Sequence, residues 1–189
     1  IMLVKDYGVG IFEKIQKDFN LSDPRTALLE LSKGKLTSDK ANHSGQGIFF
    51  TSRMLDKFNI NSGYLFYARK HVEDDEWLIE TEDTQYEIGT TIYMEININT
   101  DRTTREVFDQ YQGADLSFRK AHVPISLGKY PGEQLVSRSQ AKRILARFDN
   151  FTEVNLDFSG VQDIGQSFAD EIFRVFKNGH PEIIMFAVN

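Results

Sequence analysis

The stretch KDYGVGIF, residues 5–12, decides how the first half of the chain is read. It continues a short apolar run, IMLVK, that ends just before Asp6 and reads as a buried strand. Gly8 and Gly10 then make a loop, and IFEKIQKDF places Ile11, Ile15 and Phe19 on one helical face. Glycine adopts positive φ and lets a backbone approach a ligand closely. A carboxylate only accepts hydrogen bonds, so Asp6 in this setting could take the exocyclic amine of adenine. Alone, such a turn after a strand is more often structural than ligand-binding, and its weight depends on a second glycine pair further along the chain.

That second pair stands in HSGQGIFF, residues 43–50, and opens another apolar run. Backbone N–H groups at a helix N-terminus suit an anion such as phosphate, and Gly45 and Gly47 stand where that use is expected. Between the two pairs, SDP at 22–24 signals a helix start and TALLELS the helix. SKGKLTSDKANHSGQG, 32–47, has no apolar period and reads as a loop. Its Lys33, Lys35, Lys40 and His43 could close over phosphates.

Beyond Gly47 the apolar residues Ile48, Met54, Leu55 and Phe58 recur at helical spacing, which predicts a helix reaching Phe58. GYLFYARK (63–70) and EWLIET (76–81) read as two strands joined by an acidic turn, with Trp77 in the core. GTTIYMEINI alternates Ile92, Met94, Ile96 and Ile98 against polar partners, the mark of a half-buried strand. Residues 100–120 are polar, with one weak helix, and read as a linker. The remainder, 121–189, runs strand, helix, strand, helix, strand. In it SRSQAKRILARF is an amphipathic helix capped by Ser137 or Ser139, and QSFADEIFRVFKNG is a second helix stopped by Gly179.

The chain has 189 residues, 40% hydrophobic and 26% charged, with net charge −6 and no cysteine. These values fit one large or two small globular domains of the α/β class. They speak against a dedicated nucleic-acid or membrane-surface binder, which an acidic chain does not favour. They exclude disulfides and a cysteine nucleophile, and they are compatible with a cytoplasmic protein. Both ends read as cuts through folded structure, which leads to the expectation of a fragment.

Together, Asp6-Tyr7-Gly8-Val9-Gly10-Ile11, His43-Ser44-Gly45-Gln46-Gly47-Ile48 and Ile88-Gly89-Thr90-Thr91-Ile92 resemble the glycine boxes and Gly-Thr strand of the histidine-kinase-like (GHKL) ATPase domain. That fold is shared by sensor kinases, gyrase B, heat-shock 90 chaperones and mismatch-repair proteins, and residues 20–44 are similar to its ATP lid. The resemblance covers residues 1–99 and implies an α+β sandwich that binds ATP. It implies that Asp6 holds the adenine amine, Gly8 and Gly10 shape its pocket, and Gly45, Gly47, Lys40 and His43 serve the phosphates. It also implies Mg²⁺, held by an asparagine box upstream of the first glycine box. No asparagine here matches that box, so magnesium binding and activity are expected only of a longer protein.

Residues 121–189 resemble a STAS-like domain of unknown function that follows such ATPase domains in bacterial proteins. The resemblance is carried by Ser137-Arg138-Ser139-Gln140-Ala141, Leu156-Asp157-Phe158-Ser159-Gly160-Val161 and Ile164-Gly165-Gln166-Ser167-Phe168-Ala169-Asp170. It is also similar to anti-sigma-factor antagonist domains, in which a serine near a helix start is phosphorylated. That position falls here on Gln166, a departure, with Ser167 next as the phosphosite candidate; capping of the helix by Gln166 or Ser167 is the plainer alternative. Two functions stay open. One is an ATP-binding bacterial signalling protein whose nucleotide state is coupled to the STAS-like domain, with or without kinase activity. The other is a non-catalytic interaction module with a degenerate ATPase fold. A partner protein is expected at the STAS-like domain, and a homodimer is compatible with either reading. A DNA-linked ATPase fits the acidic charge poorly.

Overall fold

A computed structural model describes the chain except residues 39, 40, 43, 72–74, 81–85 and 114, and except the side chains of residues 75–77 and 80. The expectations placed on Lys40, His43, Trp77 and the acidic turn lie outside the described residues. The fold is α/β, and the chain divides into two compact units, Ile1–Val107 and Phe108–Asn189. The division falls within the stretch 100–120, inside the helix α4 (Thr104–Tyr111).

The first unit is one antiparallel sheet with helices on a face. Its strands are β1 (Met2–Lys5), β2 (Lys57–Gly63), β3 (Leu65–Lys70), β4 (Asp75–Glu80) and β5 (Glu87–Glu95), in the order β1-β5-β2-β3-β4. The register sets Val4 opposite Ile92, Ile92 opposite Ile60, and Ile60 opposite Tyr67. One face therefore collects Phe58, Ile60 and Tyr67, each at most 3% exposed. Complete burial of side chains such as Phe58 and Ile60 contributes about 1.5–3 kcal/mol apiece. The other face carries polar groups, with ion pairs Lys5–Glu87 and Lys57–Glu95.

Before α4, the described residues of this unit form helices α1 (Ile11–Phe19), α2 (Pro24–Lys33) and α3 (Gly47–Met54). α2 is capped by Asp23, whose carboxylate accepts the Thr26 N–H, with Pro24 at the first helical position. Arg69 of β3 donates to the Ser52 carbonyl of α3, which places α3 on the Phe58 face.

Four expectations are corrected. β1 is exposed along its length rather than buried, because it is the edge strand of the sheet beside β5. α3 stops at Met54, and Phe58 belongs to β2, where Phe58, Ile60 and Ser62 are buried in alternation with half-exposed Asn59 and Asn61. β5 ends at Glu95, so Ile96 and Ile98 lie beyond it at 45% and 95% exposure. Lys33 ends α2 rather than entering the loop; it is 1% exposed and pairs with Glu30 at 2.5 Å.

The second unit has a parallel sheet, β6 (Lys120–Pro124), β7 (Glu153–Asp157) and β8 (Ile184–Val188), in that order. Helix α5 (Arg138–Leu145) connects β6 to β7. From β7 to β8 the chain runs through α6 (Gln166–Asp170), a π-helical segment Glu171–Phe176 and α7 (Lys177–Gly179). Val123, Val154 and Leu156 of the sheet and Ile144, Phe168 and Ile172 of the helical segments are each fully buried and make up the core. The cap of α5 is Ser137, whose hydroxyl accepts the Gln140 N–H while the Gln140 side chain accepts the Ser137 N–H at 2.7 Å. Among the described residues no helix is long and apolar enough to cross a membrane.

Candidate functional site

Asp6 follows β1 directly, and its carboxylate shapes the turn. Oδ1 accepts the Gly8 N–H at 2.8 Å and the Thr90 N–H at 3.3 Å. The Asp6 N–H donates to the Thr90 carbonyl at 2.9 Å, and the Ile11 N–H donates to the Thr90 hydroxyl oxygen at 3.0 Å. The strand bearing Gly89 and Thr90 is thus locked to both ends of the glycine turn. Asp6 is exposed, and its Oδ2 has no hydrogen bond among the described residues.

Two glycines make that lock sterically possible. A Cβ on Gly89, at φ +78°, would stand 2.3 Å from the Asp6 carbonyl oxygen. A Cβ on Gly10, at φ +86°, would stand 2.6 Å from Ser62 Oγ, which itself donates to the Gly89 carbonyl at 2.7 Å. Both positions need left-handed backbone and empty space, so only glycine fits. Gly10 is buried at the start of α1, and Gly8 is exposed. Gly89 and Thr90 were anticipated only through the family pattern; Ser62 carried no sequence signal, because its role depends on a contact across the sheet.

The second glycine pair lies further along the chain and makes different local contacts. Gly45, at φ +68°, lies so close to Leu36 that a Cβ would meet its backbone at 2.6 Å, which pins together the two ends of the segment between them. Gly47 opens α3, and a Cβ there would meet nothing within 4 Å. Ser38 of this segment donates to Asp18 of α1 at 3.0 Å, and Asp18 pairs with Lys14. The bond from Lys14, then that from Ser38, holds the Asp18 carboxyl below the ordinary carboxylate range.

In the second unit, Ser167 occupies the first turn of α6 and is exposed. No side chain caps that helix, whose cap residue is Gly165, so neither Gln166 nor Ser167 has the capping role considered for it. A polar cluster forms instead at Asp157, whose place at the end of a strand suits a side-chain-capped turn; its contacts with His122 and Asn189 carry no sequence signal. Asp157 Oδ1 accepts the Ser159 N–H at 2.9 Å and the Asn189 amide at 3.0 Å, and Oδ2 lies 3.2 Å from His122 Nε2. Burial pushes the Asp157 carboxyl up, but Asn189, Ser159 and His122 together outweigh it and hold it below its ordinary value. Among the described residues no group of three or more His, Asp or Glu could hold a metal ion.

Residues 140–187 match the family model of the STAS-like domain of unknown function (DUF4325). The matched span lies wholly within the second unit. No curated protein and no solved structure matches the chain significantly. The second unit thus carries a STAS-like domain over residues 140–187.

Proposed function

We propose that the first unit binds an adenine nucleotide at the Asp6 turn and that this occupancy regulates the STAS-like unit, as part of a signalling protein. The observation that carries the reading is the division of labour on Asp6. One carboxylate oxygen is spent on the Gly8 and Thr90 N–H groups, and the other, exposed, is an acceptor suited to an amine. Gly10 lets the turn pack against Ser62 and the Gly89 carbonyl, where any Cβ would clash, and so holds Asp6 in place. Gly47 presents open space at the start of α3, in keeping with a phosphate group near that helix. Magnesium is expected only of a longer protein that carries the asparagine box, and no step of the proposal is routed through it. Phosphate transfer to Ser167 is the narrower form of the proposal; its support is an exposed hydroxyl in the first turn of a helix, where added negative charge is tolerated.

The test is calorimetric titration of the full-length protein with ATP, with Asp6→Asn as control. Asparagine keeps an oxygen for Gly8 and Thr90 but turns the outward acceptor into a donor that faces the adenine amine. Loss of a charged hydrogen bond of about 1.5–3 kcal/mol predicts affinity about 10- to 150-fold weaker with the fold intact. Equal affinity of the two proteins rejects the assignment. For Ser167, mass spectrometry after incubation with ATP is expected to show a phosphorylated peptide, and an unmodified one leaves only a nucleotide switch. The alternative, a non-catalytic interaction module, draws on a different observation: Ile184, Phe186 and Val188 of the edge strand β8 are 55%, 48% and 36% exposed. It is favoured if no nucleotide binds.

A further inference from the structure

Arg102 stands between β5 and α4, and its guanidinium closes the C-terminal end of α3. One terminal nitrogen donates to the Met54 carbonyl at 2.7 Å and to the Arg53 carbonyl at 3.4 Å. The other is hydrogen-bonded and ion-paired to Asp56 Oδ1. The remaining Asp56 oxygen accepts the Asn97 N–H at 2.5 Å. The backbone of Asp56 is fixed as well, donating to the Glu95 carbonyl and accepting the His71 N–H, each at 2.9 Å. The side chains of Arg102 and Asp56 are only 12% and 21% exposed.

These contacts form a clasp between the end of one helix and the segment that leaves the sheet. The carbonyls at a helix C-terminus lack partners within the helix and carry partial negative charge, so a half-buried guanidinium there is favoured twice. Asp56 balances the cation and holds the incoming chain at Asn97. The next residue beyond the clasp, Thr103, is reciprocally bonded to Glu106 in a capping box, so the clamped segment passes directly into α4. The clasp is also not saturated. Arg102 Nε is buried without a hydrogen-bond partner among the described residues.

α3 has two ends with different attachments. Its first residue is Gly47, two residues after the pinned Gly45, and its last carbonyls are those held by Arg102. A helix of this length is a rod of about 12 Å, so a shift at one end moves the other. We infer that Arg102 and Asp56 couple ligand occupancy at the glycine end of α3 to residues 97–107, the segment through which the chain leaves the first unit. Both are positioning residues; neither touches the ligand. This rests on the nucleotide reading of the glycine turns, and it names the regulation of that site.

Hydrogen exchange of the full-length protein, with and without ADP, tests the coupling, and calorimetry on the same samples reports binding. In the native protein ADP is expected to change the protection of residues 97–107. In Arg102→Ala, ADP still binds, within about threefold of the native affinity, and the ADP-linked change in 97–107 disappears. Arg102→Lys, which keeps the charge but not the fork, restores part of it. Should Arg102→Ala not fold, Asp56→Asn opens the same clasp from its other side and is expected to abolish the same change. An undiminished change in Arg102→Ala overturns the coupling, as does ADP binding to the native protein with no change in 97–107; in both, the nucleotide reading stands. Absence of ADP binding to the native protein removes the nucleotide reading and the coupling with it.

Discussion

Asp6 and Asp157 make the same local turn and lead to opposite sites. Each ends or follows a strand, and each accepts the backbone N–H two residues on, Gly8 at 2.8 Å and Ser159 at 2.9 Å. Asp157 then uses both oxygens within the protein, on Asn189 and His122, and is half-buried. Asp6 gives both of its bonds to one oxygen and leaves the other outward in an exposed turn. The sequence motif makes the turn in both cases. What separates a carboxylate with both oxygens bonded from one with an unbonded oxygen is the neighbouring strand, His122 for the first and Gly89-Thr90 for the second.

The comparison breaks hardest at Gly89. Gly89→Ala would drive a Cβ to 2.3 Å from the Asp6 carbonyl oxygen at a φ of +78°. Backbone strain and clash together are expected to cost about 3 kcal/mol or more in chemical denaturation of the first unit. A loss below about 1 kcal/mol would show that the Asp6–Thr90 lock is not a fixed part of the fold.

Next is the closed carboxylate. Asp157→Ala leaves the Ser159 N–H, the Asn189 amide and His122 without their acceptor, and about 1–3 kcal/mol of stability is expected to go. The pH dependence comes from the lowered pKa of Asp157 in the fold. Its contribution is present above the unfolded value near ~3.9 and is lost as pH falls through the lower folded value. Acid titration of stability should therefore be shallower below about pH 4 in the variant than in the native protein. Parallel acid profiles would place the Asp157 interactions outside the stability of this unit.

Ser137→Ala removes the α5 cap, and about 1 kcal/mol is the expected loss. Gly47→Ala is the mildest change, since its Cβ meets nothing within 4 Å. In a helix it should leave stability equal or raise it by up to about 1 kcal/mol. If α3 approaches a phosphate there, the same variant weakens nucleotide binding; unchanged binding would separate Gly47 from the site.

Much of this architecture is legible along the chain because local signals fix it. The caps of α2 and α5 are written in Asp23-Pro24 and in Ser137 with Gln140, and the parallel unit is implied by its alternation of strands and helices. β2 was hidden because Phe58 continues a helical spacing from Ile48, while its true partners, Ile60 and Ser62, declare themselves only through burial. Lys33 looked like a loop lysine because Gly34 comes next, yet Glu30 one turn earlier in α2 pairs with it inside the fold. The glycine turn was visible at Asp6, but the reason it holds was not. Ser62, Gly89 and Thr90 come to it from elsewhere in the sequence, as Arg102 and Asn97 come to Asp56.

The central claim is that the outward oxygen of Asp6 recognises an adenine amine. Titration of the full-length protein with ATP, beside Asp6→Asn and with thermal unfolding of both proteins, tests it most directly. The account predicts saturable binding that weakens about 10- to 150-fold in the variant, with the two unfolding transitions close together. Binding of equal strength in both proteins, or none in the native one, contradicts it.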